Sequence, residues 1–188
     1  MKIISLLIAT SYFSLIAFSL PSYAGNSDGV QFNTPNIKGS GCSGTSNYRV
    51  TPNGKTLSIS FKKFIASPSN KTCTITVPIA VPSGFKLSVL TADYRGFVKG
   101  KGELKRSYRA AGSSGGAKKN SFNKTSGDDY YVNDNLLRMN KKMSQCGKNI
   151  TLKINARIKA ADADSKISVD SDDSSSGAIF HLQYSPCK

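Results

Sequence analysis

Apolar residues recur at every second position in five separate runs, and this period of two constrains the fold more than any other feature. In the clearest run, Thr72–Val81, the odd-numbered residues are cysteine, isoleucine or valine, whereas the even-numbered ones are threonine, proline or alanine. Such alternation is typical of a strand that buries one face. The other runs are Leu57–Phe61, Phe85–Val89, Ile150–Ile158 and Phe180–Tyr184. Many short strands with one polar face predict an all-β fold, an antiparallel β-sandwich.

Turn signals separate the predicted strands at Pro52–Gly54, Pro82–Gly84 and Ser176–Gly177. Proline cannot donate to a strand ladder, so Pro78 predicts that its strand lies at a sheet edge or carries a bulge. The segment Gly112–Gly127, with the sequence GSSGGAKKNSFNKTSG, has little to bury and is predicted to form a long mobile loop.

A helical period is visible between Asn133 and Cys146, where Leu136, Met139 and Met143 share one helical face. The segment begins with two residues that are suitable helix N-caps. The pattern leaves two interpretations open, a helical turn or an irregular strand.

The four cysteines, Cys42, Cys73, Cys146 and Cys187, are spaced too widely for a zinc finger or knuckle, and the chain has a single histidine. An even number in an exported chain predicts two disulfides, for which three connectivities are possible. We favour Cys42–Cys73 and Cys146–Cys187 because these cysteines are neighbours in sequence. Loops of this size stabilise a fold by roughly 3–4 kcal/mol each in the chain-entropy description.

The N-terminus has the organisation of a signal peptide. Lys2 is the one charged residue among the first 24, an apolar run covers Ile3–Leu20, and small residues precede a cleavage point after Ala24. A membrane anchor is the alternative, since the run approaches the ~20 residues that span a bilayer, but no basic stop-transfer cluster follows. We expect residues 1–24 to be removed and residues 25–188 to form a single β-sandwich domain. The protein is then secreted or periplasmic, in an oxidising compartment, without stable membrane insertion.

Several short motifs follow one another in a fixed order from Val30 to Cys187. They are Gly39–Cys42 (GSGC) with Gly44–Ser46, Asn70–Cys73, Pro82–Phe85, Asp93–Gly96, Cys146–Gly147, Val169–Ser171 and Cys187. In these motifs the chain resembles a family of small secreted bacterial and fungal proteins, domain of unknown function 4360. The family often has tryptophan before the third cysteine and near the fourth, where this chain has Met143 and Tyr184, which puts in doubt any ligand role of those tryptophans. The resemblance implies secretion, a four-cysteine framework and β-structure, and brings no known activity with it.

Basic residues outnumber acidic ones by 26 to 11, and the formal net charge is +15. Residues 25–127 hold 16 basic and 3 acidic residues, whereas residues 128–188 hold 9 and 8. The densest stretch is Lys99–Arg109, with the sequence KGKGELKRSYR. The first part of the chain is therefore where an anionic partner is expected to bind.

An extended conformation turns Lys99–Arg109 into a basic stripe. Its odd-numbered cations project to one face with Glu103 among them, and Leu104 and Tyr108 project to the other face with Arg106. Such a stripe attracts phosphate, sulfate or carboxylate polymers, with strong salt dependence. A solvated edge strand, protected from aggregation by its lysines, is the alternative. The residues predicted to bind an anionic partner are Arg95, Lys99, Lys101, Lys105, Arg106 and Arg109.

Two further charged motifs have structural explanations. Asp93–Gly96 is predicted to end a strand in a turn, with an Asp93–Arg95 pair and a positive φ at Gly96. Five aspartates near the C-terminus have the chemistry of calcium ligands but lack EF-hand spacing, and Asx turns explain most of them. They are Asp162, Asp164, Asp170, Asp172 and Asp173. Calcium binding stays an open alternative here, and we expect no cofactor.

No catalytic motif surrounds His181, and Glu103 lies among lysines that keep it ionised. We therefore predict a binding protein rather than an enzyme. Its partner is expected to be anionic: an envelope or extracellular polysaccharide, an acidic protein surface or a nucleic acid. One alternative is a secreted effector or inhibitor that docks on another protein through Gly112–Gly127. The other is a hydrolase of envelope polymers that uses aspartates such as Asp170.

Overall fold

Alternating residues form eleven β-strands in the computed structural model, which describes residues 29–44, 46–110, 113–136, 145–170 and 177–187. Those ranges contain no helix. The strands are β1 (Gln31–Phe32), β2 (Asn36–Lys38), β3 (Ser46–Val50), β4 (Thr56–Phe61), β5 (Ile65–Ala66), β6 (Asn70–Ala80), β7 (Phe85–Ala110), β8 (Ser113–Asn135), β9 (Ile150–Ala160), β10 (Lys166–Ser168) and β11 (Ala178–Pro186). The all-β prediction is confirmed. The predicted signal peptide lies outside the described residues.

Hydrogen bonds join the strands into one antiparallel network in the order β1-β6-β9-β7-β11-β4-β3. In addition, β8 pairs with β7, β2 with β6, and β10 with both β5 and β7. The network nearly closes into a barrel-like sandwich, which confirms the predicted antiparallel β-sandwich.

The 26-residue strand β7 belongs to both layers of the sandwich. Its first half pairs with β11 over Phe85–Tyr94, and its second half pairs with β9 over Gly102–Ala110. We call these the β11 layer and the β9 layer, and β8 follows β7 in both. The register of β7 with β8 shifts at the bend between the halves, where Gly100 and Gly127 have φ values of 69° and 87°. Glycine adopts these values without steric strain, so one strand turns from one layer into the other.

Every second residue of the main strands is buried. In β9 these are the six even-numbered residues from Ile150 to Ala160, and β4 and β6 bury the odd-numbered residues of Leu57–Phe61 and Cys73–Ile79. The inward faces meet in a single apolar core. Full burial of each aliphatic side chain stabilises the folded state by about 1.5–3 kcal/mol. Because the inward faces supply this stability, the outward faces can be polar.

Both favoured disulfides are confirmed. Cys42–Cys73 joins the turn after β2 to strand β6, with Cα atoms 5.6 Å apart. Cys146–Cys187 joins the turn before β9 to the end of β11, with Cα atoms 6.0 Å apart. The two bridges therefore fasten different parts of the sandwich.

The prediction that Pro78 marks an edge or a bulge is wrong. Strand β6 pairs with β9 in continuous register and with β1 and β2 on its other side. The Asn33 amide donates to the Pro78 carbonyl oxygen at 2.9 Å, which shows that the backbone of Pro78 points away from β9. Its nitrogen faces the gap between Phe32, where β1 ends, and Asn36, where β2 begins. The missing N–H thus removes no bond of the β6–β9 ladder.

The predicted mobile loop is a strand from Ser113 onward, and Gly112 lies outside the described residues. This part of β8 pairs with the second half of β7, with Gly102 opposite Phe122. The main-chain hydrogen bonds of this pairing form without apolar side chains. Phe122 adds a stacked contact with Tyr130, at a distance of 4.6 Å between ring centroids. The effector alternative loses the mobile segment on which it depended.

The helical interpretation fails at the start of its segment, because Asn133–Asn135 belongs to β8 and pairs with β7. Leu136 follows the strand and is buried in the core. The remaining helical positions, 137–144, lie outside the described residues.

Candidate functional site

Three cations lie side by side across neighbouring strands of the β9 layer. Lys105 of β7 is directly opposite Arg157 of β9 on one side and Lys119 of β8 on the other. All three side chains are exposed on the outer surface. Directly opposite Cβ atoms in a sheet are about 4.5–5.5 Å apart, and like charges at that spacing destabilise the pairing. The row Lys119–Lys105–Arg157 is therefore unfavourable for the fold by itself.

The row is part of a larger surface, which we call the basic face. Four residues further along β7 from Lys105, Arg109 is opposite Lys153. Two residues before Lys105, Glu103 is opposite Lys159. The cations of the basic face are Lys101, Lys105, Arg109, Lys119, Lys153, Arg157 and Lys159. Polar residues fill the positions between them; for example, Thr74 donates to the Asn155 side-chain oxygen at 3.0 Å. The outer surface of the β9 layer thus combines positive charge with hydrogen-bonding groups.

Glu103 supplies the negative charge of this face. Lys119 Nζ lies 2.5 Å from its carboxylate. This hydrogen bond, together with the charges of Lys119, Lys105 and Lys159, holds the pKa of Glu103 below its usual 4.5. The carboxylate is therefore ionised at neutral pH and offsets one of the seven cations.

A cavity of 380 Å³ opens at one end of the basic face. Five of its eight lining residues are polar or charged: Lys101, Glu103, Ser121, Asn123 and Lys159. The others are Gly102, Phe122 and Ala161. This depression can receive a polar group of a ligand.

Protection of a sheet edge does not explain the charges on β7 and β9. From Gly102 to Arg106, β7 is paired with β9 on one side and β8 on the other. Strand β9 is likewise enclosed between β6 and β7. Edge lysines work by blocking the approach of another strand, and an enclosed strand has no open side to protect. Strand β8 pairs only with β7 among the described strands, so edge protection does explain its lysines.

Apart from Arg106, the residues predicted to bind an anionic partner fall into three groups. Lys101, Lys105 and Arg109 lie on the basic face. Lys99 is exposed at the bend, opposite Lys166 of β10. Arg95 lies beyond the bend in the β11 layer. The structure therefore joins only half of the predicted stripe with the cations of β9.

The prediction that Arg106 binds an anionic partner is wrong. Its side chain is 1% exposed and forms a salt bridge of 2.9 Å with Asp134. Burial by itself lowers the pKa of Arg106, but the hydrogen bond and charge of Asp134 outweigh it and raise the pKa. The side chain points inward because it shares the even-numbered face of β7 with Leu104 and Tyr108, so its charge is neutralised inside the core.

The cations of β9 were not predicted as site residues. The alternation of β9 did place Lys153, Arg157 and Lys159 on its polar side. What the sequence lacked was the pairing of β7 with β9, which brings these residues beside Lys105.

Asp93–Gly96 lies inside β7 and forms no turn. Gly96 is required by close packing, because a Cβ atom would lie 2.0 Å from the Ser168 carbonyl oxygen. Asp93 bonds to side chains of other strands rather than to Arg95. It accepts hydrogen bonds from the Tyr131 hydroxyl at 2.6 Å and the Asn133 amide at 2.5 Å.

His181 Nε2 lies 3.1 Å from Asp93 Oδ2 and completes this cluster. Burial alone raises the pKa of Asp93, but the hydrogen bonds from Tyr131 and Asn133 and the neighbouring His181 outweigh it and hold the pKa below its usual value. The Arg95 guanidinium packs 5.6 Å from the centre of the Tyr131 ring. The cluster joins three strands, β7, β8 and β11.

The C-terminal aspartates do not gather into a metal site where the structure describes them. Asp162 accepts a hydrogen bond from the Ser165 hydroxyl at 2.5 Å, and Asp170 accepts one from the Phe61 amide at 2.7 Å. Asp172 and Asp173 lie outside the described residues. Within the described ranges, no group of three or more His, Cys, Asp or Glu residues is arranged to hold a metal ion.

The same ranges contain no helix long and apolar enough to cross a membrane. Among proteins of similar sequence, an uncharacterized secreted protein of Arthroderma benhamiae is 28% identical over 167 residues, which cover 79% of this chain and 68% of that protein. Its description as secreted agrees with the two disulfides, which form and persist in oxidising compartments.

Two solved structures share a distant likeness. The structure of TmCBM61 in complex with β-1,4-galactotriose aligns with 84% of this chain and 91% of its own, at 7% identity and a TM-score of 0.30. The enzymatically active domain of bacteriophage CBA120 tailspike protein 4 aligns with 84% of this chain and 20% of its own, at 11% identity and a TM-score of 0.28. At these TM-scores neither structure informs on function.

The family described as "Domain of unknown function (DUF4360)" matches residues 28–187, which include all eleven strands and both disulfides. This chain is a member of the DUF4360 family.

Proposed function

We propose that this protein binds an anionic polymer through the basic face and does not act as an enzyme. The observation that carries the proposal is the row Lys119–Lys105–Arg157, three cations directly opposite one another on paired strands. The row is unfavourable for the sheet, and it serves no edge protection on β7 or β9. The carboxylate of Glu103 compensates only part of this charge, and residues that break a local rule without full structural compensation mark functional surfaces.

A polymer with regularly spaced charges suits this surface better than a single small anion. Strands are about 4.8 Å apart and outward residues of one strand about 6.7 Å apart, so the cations form a two-dimensional array. An extended polyanion can neutralise several of them at once and release the counterions around its own charges. An extracellular or envelope polysaccharide with carboxylate or sulfate groups has this form.

The test compares two variants with the same change of net charge. The face variant replaces four cations by glutamine: Lys105, Arg109, Lys153 and Arg157. The control variant replaces four lysines that lie outside the basic face: Lys62, Lys63, Lys86 and Lys148. Neither set includes Lys119, so Glu103 keeps its partner.

Each variant is loaded on immobilised sulfated and carboxylated polysaccharides and eluted with a salt gradient. We expect the face variant to elute at a much lower salt concentration than the wild type, and the control variant to elute near it. Equal shifts for the two variants mean that retention reflects overall charge, and they would overturn the proposal.

The absence of catalysis is tested on the same polymers. Incubation with the wild-type protein is expected to leave the chain length of each polymer unchanged. Shortening of a polymer, abolished by Asp170→Asn, would replace this proposal by the hydrolase alternative.

We also propose that residues 1–24 direct export and are removed after Ala24. The secreted relative and the disulfides support export, and the signal-peptide pattern supports the position of cleavage. The intact mass of the exported protein should correspond to a chain that begins at Gly25 with two disulfides. A mass that retains the first 24 residues contradicts this assignment.

A further inference from the structure

Tyr131 is the most exposed large hydrophobic side chain of the described residues, at 58%. It lies on the outer surface of the β11 layer, away from the basic face. The ring is held by a hydrogen bond at its hydroxyl end and by a cation over one face. Its hydroxyl donates to Asp93 at 2.6 Å, and Arg95 packs against it. An exposed aromatic ring with a fixed orientation is a surface prepared for contact with a flat apolar patch of a ligand.

Asp93 organises the groups around this ring. It receives hydrogen bonds from Tyr131 and Asn133 and lies beside His181, while its own side chain is only 14% exposed. Its role is therefore to orient its neighbours. A site whose side chains are already ordered loses less conformational entropy when a ligand binds.

The neighbours present complementary chemistry to solvent. Arg95 is exposed and carries a fork of donors that suits a carboxylate. Asn133 donates its amide to Asp93, which directs its side-chain oxygen toward other partners as an acceptor. The exposed face of the Tyr131 ring supplies the apolar contact. Together they combine a flat apolar surface, a cation and a hydrogen-bond acceptor.

We propose that this cluster of Asp93, Arg95, Tyr131, Asn133 and His181, the Tyr131 platform, binds a sugar unit that carries a carboxylate. The C–H face of the sugar ring stacks on Tyr131, the carboxylate bonds to Arg95, and a hydroxyl donates to the Asn133 side-chain oxygen. The inference rests on the proposed binding of an anionic polymer and identifies that polymer as an acidic polysaccharide.

A nucleic acid strand fits the platform less well. Proteins that bind single strands stack successive bases on several aromatic side chains. The other exposed tyrosine among the described residues is Tyr48 of β3, at 45% exposure. Strands β8 and β3 stand at opposite ends of the order β8-β7-β11-β4-β3, four strand spacings or about 19 Å apart. That distance is too large for neighbouring bases.

The platform and the basic face lie on the same strand. Arg95 and Lys101 are six residues apart along β7, at most about 20 Å, and the exposed Lys99 stands between them. A single polysaccharide chain that follows the hairpin of β7 and β8 can therefore reach both surfaces. The basic face would then supply attraction, and the platform would select the sugar.

The experiment measures binding of a tetramer of galacturonic acid, a neutral tetramer of galactose and a single-stranded DNA tetramer to the mature, oxidised protein by calorimetry. We expect the wild type to bind the acidic sugar in preference to the other two. Tyr131→Ala should weaken that binding about tenfold or more. Arg95→Gln should reduce the preference for the acidic over the neutral sugar. The thermal midpoint of each variant verifies folding.

Unchanged affinity of Tyr131→Ala for the acidic tetramer, or preferential binding of the DNA, would overturn the platform. The column test of the basic face gives an independent answer, because Tyr131→Ala leaves the seven cations intact and should elute from a sulfated polymer as the wild type does. If the four-site face variant elutes normally while Tyr131→Ala loses the sugar, polyanion binding through the basic face is wrong and the platform stands alone.

Discussion

Arg106 and Asp134 form two parallel hydrogen bonds of 2.9 Å, one from Nε to Oδ2 and one from Nη2 to Oδ1. Arg106 belongs to the β9 layer through the second half of β7. Asp134 belongs to the β11 layer through the second half of β8. The Tyr108 hydroxyl also donates to Asp134, at 2.5 Å. Bidentate ionic hydrogen bonds are strong and directional, so this pair sets how the two layers face each other.

Loss of one partner of this pair should be far worse than loss of both. Asp134→Asn leaves a buried guanidinium without its counter-charge, and we expect a loss of roughly 3–5 kcal/mol in the free energy of unfolding. The double variant Arg106→Met with Asp134→Leu should lose less, because no charge stays buried. Urea denaturation with the disulfides intact measures both. A single variant as stable as the double one would contradict the assigned role of the pair.

The buried tyrosines should resist ionisation until the protein unfolds. Burial is the main reason why the pKa values of Tyr94, Tyr108 and Tyr130 are raised far above their usual 10.0. Because the unfolded state releases these protons more readily, their contribution to stability is complete below about pH 10 and declines as the pH rises above it. Phenolate absorbance and circular dichroism, recorded together in an alkaline titration, should show these rings ionising only as structure is lost.

Reversal of the central charge should separate stability from binding. Lys105→Glu places a carboxylate directly opposite Lys119 and Arg157, and each new opposite-charge pair contributes roughly 0.2–1 kcal/mol. We expect a raised thermal midpoint together with weaker retention on an anionic polymer. Lys62→Glu, which lies outside the basic face, is the matched control. Improved or unchanged retention of Lys105→Glu would contradict a role of the basic face in binding.

Gly96 should be intolerant of any side chain. An added Cβ would lie 2.0 Å from the Ser168 carbonyl oxygen and 2.7 Å from the Tyr130 hydroxyl oxygen. Gly96→Ala therefore forces the backbone of β7 away from β10, and we expect a loss of about 1–3 kcal/mol. Gly116→Ala is the control, because no atom lies within 4 Å of its added Cβ. Chemical denaturation of both variants provides the comparison.

Local patterns predicted the strands and their buried faces well. The alternation in Ile150–Ile158 corresponds to β9, where every even-numbered residue is buried. Burial of one face is decided within each strand, so it is visible in the sequence. The disulfide pairs were also predicted, because each bridge joins two cysteines that follow one another in the sequence.

Features that depend on distant strands escaped prediction. The polar residues of Ser113–Gly127 read as a loop, because a strand held mainly by main-chain bonds to a partner has no side-chain period of its own. Arg106 was counted among the binding residues, although it shares a face with Leu104 and Tyr108, because the sequence contains no sign of its partner Asp134 on β8. Likewise, the basic face exists only through the registers that set Lys105 beside Arg157 and Lys119.

The continuity of β7 determines how the molecule can open. This single strand is bonded to β11 in one layer, to β9 in the other, and to β8 in both. Neither layer can separate from the sandwich without releasing part of a strand that the other layer holds. Backbone amides of β9 and β11 should therefore exchange with solvent deuterium through the same global event, at a common limiting rate, rather than layer by layer.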